Sequence, residues 1–297
     1  MKSSFGATVY KVNVDAGFTC PNRDGTIGIS GCIYCNNDSF RPNSCKPTLS
    51  VSEQINNGMR YIKKRYKVEK FLVYFQPYTN TYAPVDELER LYKEALADPA
   101  VIGLAIGTRP DTVDEQKIVL IQSLAEKYFI LIEYGMQSMY NRTLEFINRG
   151  HDYKTFLRAL EMTKNRGIWI GAHIIVGFPT ETREEMLAMA DEISHLPVDF
   201  LKIHQLQVIK DTPLALIYHE NPFHVFGYDE YIDFVTEFLE RLSPRIVLQR
   251  LFATAPDTIL IAPHWRKSRQ EILREIEKRL ELQDTRQGKQ QKIQARI

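Results

Sequence analysis

Residues 171–182, GAHIIVGFPTET, contain the pattern that decides the fold of this chain. They continue an apolar run, 168–177, that has the length and composition of a buried strand, and Gly177 and Pro179 shape the turn that ends it. A helix-like stretch over 182–194 follows directly. Repetition of this pairing along the chain predicts about six strand–helix units, which is typical of a parallel sheet with helical crossovers.

The other predicted elements continue this alternation on both sides. A partial barrel fits the pattern, and so does an open doubly wound sheet. No G-x-G-x-x-G follows the first strand, which weighs against a nucleotide-binding Rossmann domain. The remaining predicted strands are 9–14, 70–76, 101–107, 128–135 and 199–208, and the remaining predicted helices are 50–66 (N-cap Ser50 or Ser52), 84–98 (Pro84 in its first turn), 112–127 and 152–166.

Polar residues and glycines gather where the predicted strands end. Examples are Gln76, GTRPD (107–111), EYGMQS (133–138) and GFPTET (177–182). In α/β folds this edge of the sheet binds ligands, so the sequence predicts the functional site there.

Composition limits the class of protein. The 297 residues have 44% apolar and 25% charged side chains and a net charge of +1, as expected for a globular chain with a sizeable core. No apolar run approaches the ~18 residues that span a bilayer, and the first ten residues lack the apolar region of a signal peptide. We therefore expect a cytoplasmic protein without a membrane partner, in a compartment that keeps cysteines reduced.

The last part of the chain is less regular. Residues 228–242 predict a helix, and residues 264–297 begin as a helix and end as a polar tail with ten Lys/Arg against five Asp/Glu, a net charge of +5. A boundary near Ser243 divides the chain into a main domain, 1–243, and a small, mostly helical C-terminal extension, 244–297.

Three of the four cysteines lie close together. Cys20, Cys32 and Cys35 form C-x11-C-x2-C, with Gly31 before the tight pair. Soft thiolates select iron–sulfur clusters or zinc. Two alternatives stay open: three ordinary cysteines, or a four-cysteine zinc site that includes Cys45, although structural zinc sites usually draw on two short Cys pairs.

The loop at 18–46 and the motifs that follow it resemble the radical S-adenosylmethionine (SAM) superfamily. The long first gap between cysteines departs from the commonest motif there, C-x3-C-x2-C, and is similar to the branch that contains the catalytic subunit of Elongator. The order of motifs is similar to the YtqA/YhcC-type bacterial subfamily of this branch. These motifs are residues 14–26, GTRPD (107–111), EYGMQS (133–138), NRGHD (148–152), GAHIIVGFPTET (171–182) and KIHQLQVIKDTPL (202–214).

The resemblance implies a partial (βα)6 TIM-type barrel and a radical enzyme. It implies that Cys20, Cys32 and Cys35 hold a [4Fe-4S] cluster whose fourth iron binds SAM. Reductive cleavage of SAM then gives methionine and a 5′-deoxyadenosyl radical that abstracts hydrogen from substrate. We find no acetyl-CoA pyrophosphate loop and expect no acetyltransferase domain, and we expect the subfamily's usual N-terminal leader to be missing.

The resemblance and the demands of SAM suggest further site residues. Tyr34 is the candidate neighbour of adenine, and Arg149 is the candidate cation for the SAM carboxylate. Alone, His173 would be interpreted as a structural histidine, and Arg109 either contacts ligand or closes a turn. Lys202 and His204 project from one face of the sixth strand and are candidates for substrate contact. The full candidate cofactor-binding set is Tyr34, Gln76, Thr108, Glu133, Gln137, Arg149 and His173.

Elongator-like radical SAM enzymes act on the wobble uridine of tRNA, so tRNA is the expected partner, together with an electron donor such as flavodoxin or ferredoxin. The basic C-terminal segment suits phosphate binding, although a mixed-charge helix is usually a solvated face. Two other hypotheses remain at this stage: a radical SAM enzyme for a small metabolite or a protein, and a zinc-stabilised binding module without redox chemistry.

Overall fold

The computed structural model describes residues 6–36 and 48–291. Within these residues, parallel strands alternate with helices, as predicted. The strands are β1 (Val9–Val14), β2 (Lys70–Phe75), β3 (Val101–Thr108), β4 (Phe129–Gln137), β5 (Trp169–Val176), β6 (Phe200–Gln205), β7 (Val208–Ile209), β8 (Val247–Arg250) and β9 (Leu260–Ala262).

The helices flank the strands in sequence, and a short 3-10 turn (Pro110–Thr112) follows β3. They are α1 (Val51–Tyr66), α2 (Val85–Ala95), α3 (Glu115–Ala125), α4 (Asn141–Phe146), α5 (Tyr153–Thr163), α6 (Arg183–His195), α7 (Pro213–Glu220), α8 (Tyr228–Arg241) and α9 (Arg269–Leu282).

Local sequence explains where the helices begin. Ser50, Thr182 and Ser268 each accept a hydrogen bond from the backbone N–H three residues on, and a glutamate at that position closes a capping box. Pro84 is the N-cap of α2 rather than part of its first turn, which corrects that detail of the prediction.

The main sheet has seven strands in the order β1-β2-β3-β4-β5-β6-β8. Strands β1 to β4 pair in parallel in sequence order, and β8 pairs in parallel with β6. The seventh strand, β8, was not predicted and lies beyond Ser243, in the segment assigned to the extension. The predicted strand 199–208 is also divided, because β6 ends at Gln205 and β7 pairs with β9 in a separate antiparallel sheet.

The chain divides into two compact units. One comprises the described residues of Met1–Gly31, Phe40–Gly135 and Gly150–Gly171, and the other those of Cys32–Ser39, Met136–Arg149 and Ala172–Ile297. In the first unit the middle of β2 and of β3 is apolar and buried. In β6 of the second unit, the buried apolar residues Leu201 and Ile203 alternate with Lys202 and His204.

An ion pair shows that the sheet of the first unit curls. Lys11 Nζ on β1 lies 3.3 Å from Glu133 Oε1 on β4. Three strand spacings separate these strands, about 14 Å in a flat sheet. Two side chains meet across that span when the sheet is concave, as in a partial barrel.

Across the described residues, no helix is both long and apolar enough to cross a membrane. Residues 37–47, which include Cys45 and the last part of the predicted loop, lie outside the described residues.

Candidate functional site

The Cys32–Cys35 pair forms a tight turn in the second unit. The Cys35 N–H donates to the Cys32 carbonyl at 2.9 Å, so both cysteine side chains extend from the same short turn. Ile33 fixes this turn from both sides, since its N–H donates to the Ile147 carbonyl and its carbonyl accepts from the Leu214 N–H. Neither cysteine is in a disulfide, and Cys32 is buried.

Arg149 lies beside the first cysteine of this turn. Its Nη1 donates to Cys32 Sγ at 3.6 Å, and the guanidinium is buried. The guanidinium is thus in contact with a cysteine that the sequence predicts to be a cluster ligand. Arg149, which the NRGHD motif indicated as a site residue, therefore lies at the cysteine turn.

Tyr34 lies between the two cysteines in sequence and packs towards Phe178 with ring centroids 6.1 Å apart. Desolvation raises the pKa of its hydroxyl well above the ordinary value, and the neighbouring Cys32 raises it further. Tyr34 as a whole residue is partly buried.

Cys20 belongs to the first unit, where backbone hydrogen bonds shape its loop. The Arg23 and Asp24 N–H groups donate to the Cys20 carbonyl, and the Gly31 N–H donates to the Asn22 carbonyl at 2.7 Å. Gly31 has a φ of +72°, and a Cβ there would lie 2.8 Å from Arg23 Nε. The loop therefore favours glycine immediately before Cys32, because any other residue would adopt a strained φ and displace the Arg23 side chain.

The donor chemistry of these residues fits an iron–sulfur cluster. Cys20, Cys32 and Cys35 are all free thiols, and thiolates are the ligands of such clusters. Within the described residues, no three His, Cys, Asp or Glu side chains are close enough together to hold a metal ion. The assignment of all three cysteines to one cluster thus stays a prediction.

A hydroxyl network that sequence reasoning missed surrounds Thr108, at the end of β3. Thr81 Oγ1 lies 2.7 Å from Thr108 Oγ1 and 2.8 Å from Thr112 Oγ1. Next to it, the buried Asn80 side chain donates to the carbonyls of Phe75 and Gly107, at the ends of β2 and β3. The polar run after β2 was the available signal, and Gln76 lies in it, partly buried.

Arg109 follows Thr108 and is almost fully buried, with 2% of its surface exposed. Its Nε and Nη2 make a bidentate pair with the Asp111 carboxylate. Its Nη1 has no hydrogen-bond partner in the described part of the chain. The side chain therefore closes the turn and also keeps one buried donor for a ligand, so both interpretations of Arg109 remain compatible with its geometry.

Glu133 is held in place inside the first unit. It is 1% exposed, accepts from Lys11 Nζ, and lies against Gly171, where a Cβ would approach its Cγ to 3.1 Å. Four residues on, Gln137 ends β4 with a φ of +66°, partly buried, in the second unit. A non-glycine residue in that region is uncommon and often marks a functional position.

Ser138 and Glu181 form a second hydrogen-bonded pair that the sequence did not predict, although they lie in the motifs EYGMQS and GFPTET. Ser138 Oγ donates to Glu181 Oε1, whereas the buried Oε2 has no partner among the described residues. Desolvation raises the pKa of the Glu181 carboxyl above its ordinary value. The pair joins the end of β4 to the turn after β5.

Basic side chains cluster on β5, β6 and β8 of the second unit. The rings of His173 and His204 have centroids 6.0 Å apart, and Arg250 Nη1 lies 3.4 Å from His204 Nε2. Lys202 is buried two residues before His204 and is in register with Arg250. The structure thus brings His173, predicted for the cofactor, next to a residue predicted for substrate contact.

Comparison with known families identifies the class of protein. The model of the radical SAM superfamily matches residues 19–193, which is more than half of the chain, and the model of the Radical_SAM C-terminal domain matches residues 198–282. The chain belongs to the radical SAM superfamily. The boundary near Ser243 is not tested by these matches and stays a prediction.

Relatives confirm the predicted branch. The chain is 33% identical to YtqA of Bacillus subtilis over 97% of its length and 90% of the relative, and 32% identical to YhcC of Escherichia coli over 89% and 85%. A shorter match, 27% identical over 169 residues, covers 56% of the chain and 30% of the tRNA uridine(34) acetyltransferase of Methanocaldococcus jannaschii.

A solved structure confirms the fold. The archaeal Methanocaldococcus infernus Elp3 with an N-terminal deletion superposes with a TM-score of 0.74 at 19% identity, covering 95% of this chain and 64% of that one. The chain therefore has the partial barrel of radical SAM enzymes with a helical C-terminal region. It is a radical SAM enzyme, and the cofactors of this family are a [4Fe-4S] cluster and SAM.

Proposed function

We propose that this radical SAM enzyme modifies tRNA at the side chain of the wobble uridine. The observation that carries the proposal is the match to a tRNA uridine(34) acetyltransferase, a protein whose name states both the RNA and the position. The match covers 30% of that protein, so we transfer the nucleoside and not the acetyl transfer.

Cys20, Cys32 and Cys35 are the proposed ligands of the cluster. When bound, the cluster and SAM supply a 5′-deoxyadenosyl radical that abstracts hydrogen from an unactivated C–H bond. The protein must bind the reactants, orient them and exclude water. Burial of Cys32 and the hydrogen-bonded Cys32–Cys35 turn help to exclude water. Exclusion of water matters because solvent access alters the reduction potential of a cluster.

The cofactor-binding residues divide by chemistry. Arg149 provides a cation for the SAM carboxylate, and Tyr34 provides a flat face for adenine. Glu133, Gln137 and His173 offer acceptors and donors for ribose hydroxyls. Gln76 and Thr108 lie at strand ends and complete the proposed set with polar groups.

Lys202 and His204 are the proposed contacts to the reacting nucleoside. A uracil ring presents carbonyl oxygens, which accept hydrogen bonds from an ammonium or an imidazole N–H. Their location on β6, beside His173 and Arg250, gives these side chains a rigid support.

The reaction needs a one-electron donor, and we propose a small flavodoxin- or ferredoxin-type protein. Free thiols at the cluster site require a reducing compartment, so we propose a cytoplasmic location.

The test uses reconstituted holoenzyme with SAM, dithionite and bulk tRNA, followed by mass spectrometry of the digested nucleosides. The expected result is a new uridine derivative that maps to the wobble position and is absent with the Cys32→Ala variant. If no tRNA nucleoside changes and tRNA does not affect the yield of 5′-deoxyadenosine, the proposed substrate is wrong.

A further inference from the structure

The segment His264–Arg269, HWRKSR, has a fixed backbone; we name it the basic segment. The Trp265 indole donates to the Phe226 carbonyl at 2.9 Å and packs on Tyr231 with ring centroids 5.0 Å apart. Ser268 and Glu271 form the capping box that begins α9. The segment is therefore anchored by its tryptophan and held at its C-terminal end by a helix cap.

The cations of the basic segment point to solvent from this fixed backbone. Arg266, Lys267 and Arg269 are exposed, and so is Arg274 on α9. Lys267 lies over the Tyr228 ring, and none of the four has a carboxylate ion-pair partner among the described residues.

Other arginines of the same unit behave differently. Arg183 pairs with Glu237, Arg241 with Glu237 and Glu184, and Arg279 with Asp233. The cations of the basic segment form no such ion pair among the described residues. The Glu271 carboxylate caps Ser268 and also lies near Lys267 and Arg274, so it offsets part of their charge.

Within the second unit, hydrogen bonds connect the residue after the cysteine turn to Ile259, which precedes the basic segment in sequence. Asn36, next to Cys35, donates through its amide to the Lys210 carbonyl at 3.2 Å. The Lys210 N–H in turn donates to the Ile259 carbonyl, at the start of β9. Arg266 follows Ile259 by seven residues, a span of at most about 25 Å.

We propose that the basic segment, together with Arg274, binds phosphates of the RNA backbone near the reacting nucleoside. This inference rests on the proposed function, since it assigns the surface that holds the same tRNA. RNA phosphates release bound counterions when lysine and arginine side chains replace them, which favours binding. Phosphate contacts also fix the position and orientation of the nucleic acid on the protein. The basic segment has no exposed large apolar side chain, which an interfacial membrane site needs, so the surface favours nucleic acid.

The test compares tRNA affinity at several salt concentrations for the holoenzyme and two triple variants. One variant is Arg266→Asn, Lys267→Gln, Arg269→Gln. The control is Arg60→Gln, Lys64→Gln, Lys67→Asn on and after α1, which removes equal charge from exposed residues. The two sets match in backbone, because Arg266 and Lys67 have φ values of +51° and +50°, which asparagine tolerates.

For the first variant, we expect the slope of log affinity against log salt to fall by about 2 to 3, or roughly 0.7–0.9 per lost contact. The control should keep the wild-type slope.

A melting curve shows whether the first variant is folded. If it is not, the single variant Arg274→Gln replaces it and should lower the slope by about 0.7–0.9. Equal slopes for both triple variants, or no effect of Arg274→Gln in that case, would overturn the inference while leaving tRNA as the substrate. Wild-type holoenzyme that shows no salt-dependent tRNA binding would instead overturn the proposed function, and the inference with it.

Discussion

The guanidinium of Arg149 donates to the sulfur of Cys32 across 3.6 Å, within a unit that also holds Cys35 and Tyr34. This contact joins the second residue of the NRGHD motif, 117 residues later in the chain, to the cysteine turn. The contact puts one buried cation beside Cys32, where it would also be available to the carboxylate of SAM if Cys32 holds the proposed cluster.

We predict that Arg149→Gln weakens SAM binding by about 10- to 100-fold, because a charge-assisted hydrogen bond is worth roughly 1.5–3 kcal/mol. Titration of the reconstituted enzyme with SAM measures this, and Arg149→Lys should recover part of the loss. Arg142→Gln, which breaks an exposed pair with Glu185, is the control. Normal SAM affinity together with a large loss of iron would show that Arg149 supports only Cys32.

The cysteine set gives a second prediction. Cys20→Ala, Cys32→Ala and Cys35→Ala should each abolish cluster assembly, whereas Cys45→Ala should retain it, because three thiolates leave one iron for SAM. Iron and sulfide analysis after anaerobic reconstitution measures the difference. Equal loss in all four variants would support a four-cysteine site.

Two glycines of the first unit test the shape of the Cys20 loop. Gly31→Ala places a Cβ 2.8 Å from Arg23 at a φ of +72°, while Gly17→Ala meets nothing within 4 Å at a φ of +79°. Both pay a left-handed backbone cost of about 1–2 kcal/mol, and only Gly31→Ala adds a clash. We expect lower iron content per chain for Gly31→Ala than for Gly17→Ala; equal loading would show that the loop tolerates the clash.

Glu181 gives a prediction about pH. Burial raises the pKa of its carboxyl above the ordinary 4.5, so the folded protein holds this proton more tightly than the unfolded chain. The stability from this proton is complete below about pH 4.5 and is lost as pH rises through the raised pKa. Relative to wild type, Glu181→Gln should therefore gain stability as pH rises through this window, measured by denaturant unfolding.

Glu185 is the matched control for Glu181, because its shift has the opposite sign. The Thr182 N–H and then Arg142 lower the pKa of the Glu185 carboxyl, so its contribution is present above the ordinary value and lost as pH falls through the lowered pKa. Glu185→Gln should lose stability relative to wild type at neutral pH and approach it in acid. Identical pH profiles for the two variants would contradict both assignments.

The sequence predicted the central strands because they are long, apolar and bounded by turns. It missed β8, whose four residues VLQR are exposed or partly buried and show no alternation. It also missed β7 and β9, which are too short to carry a period. Strands of this kind form because neighbouring strands supply hydrogen-bond partners, which is information that a local pattern does not hold.

The candidate site was predictable to the extent that motifs carried it. Cys32 and Tyr34 belong to the cysteine loop and Arg149 belongs to NRGHD, and the structure brings Arg149 to the cysteine turn. The Ser138–Glu181 pair and the Thr81–Thr108 contact were missed, because Ser and Thr are also common in loops and nothing local shows which hydroxyl will be buried. Such networks depend on side chains from different strands meeting at one edge.

The most direct test of the central claim is a chemical analysis of anaerobically reconstituted protein. We predict about four irons and four sulfides per chain and release of 5′-deoxyadenosine when dithionite and SAM are added. The Cys32→Ala variant should show neither. Colourless protein that holds one zinc ion and leaves SAM intact would contradict the account and make the cysteine loop a structural zinc site.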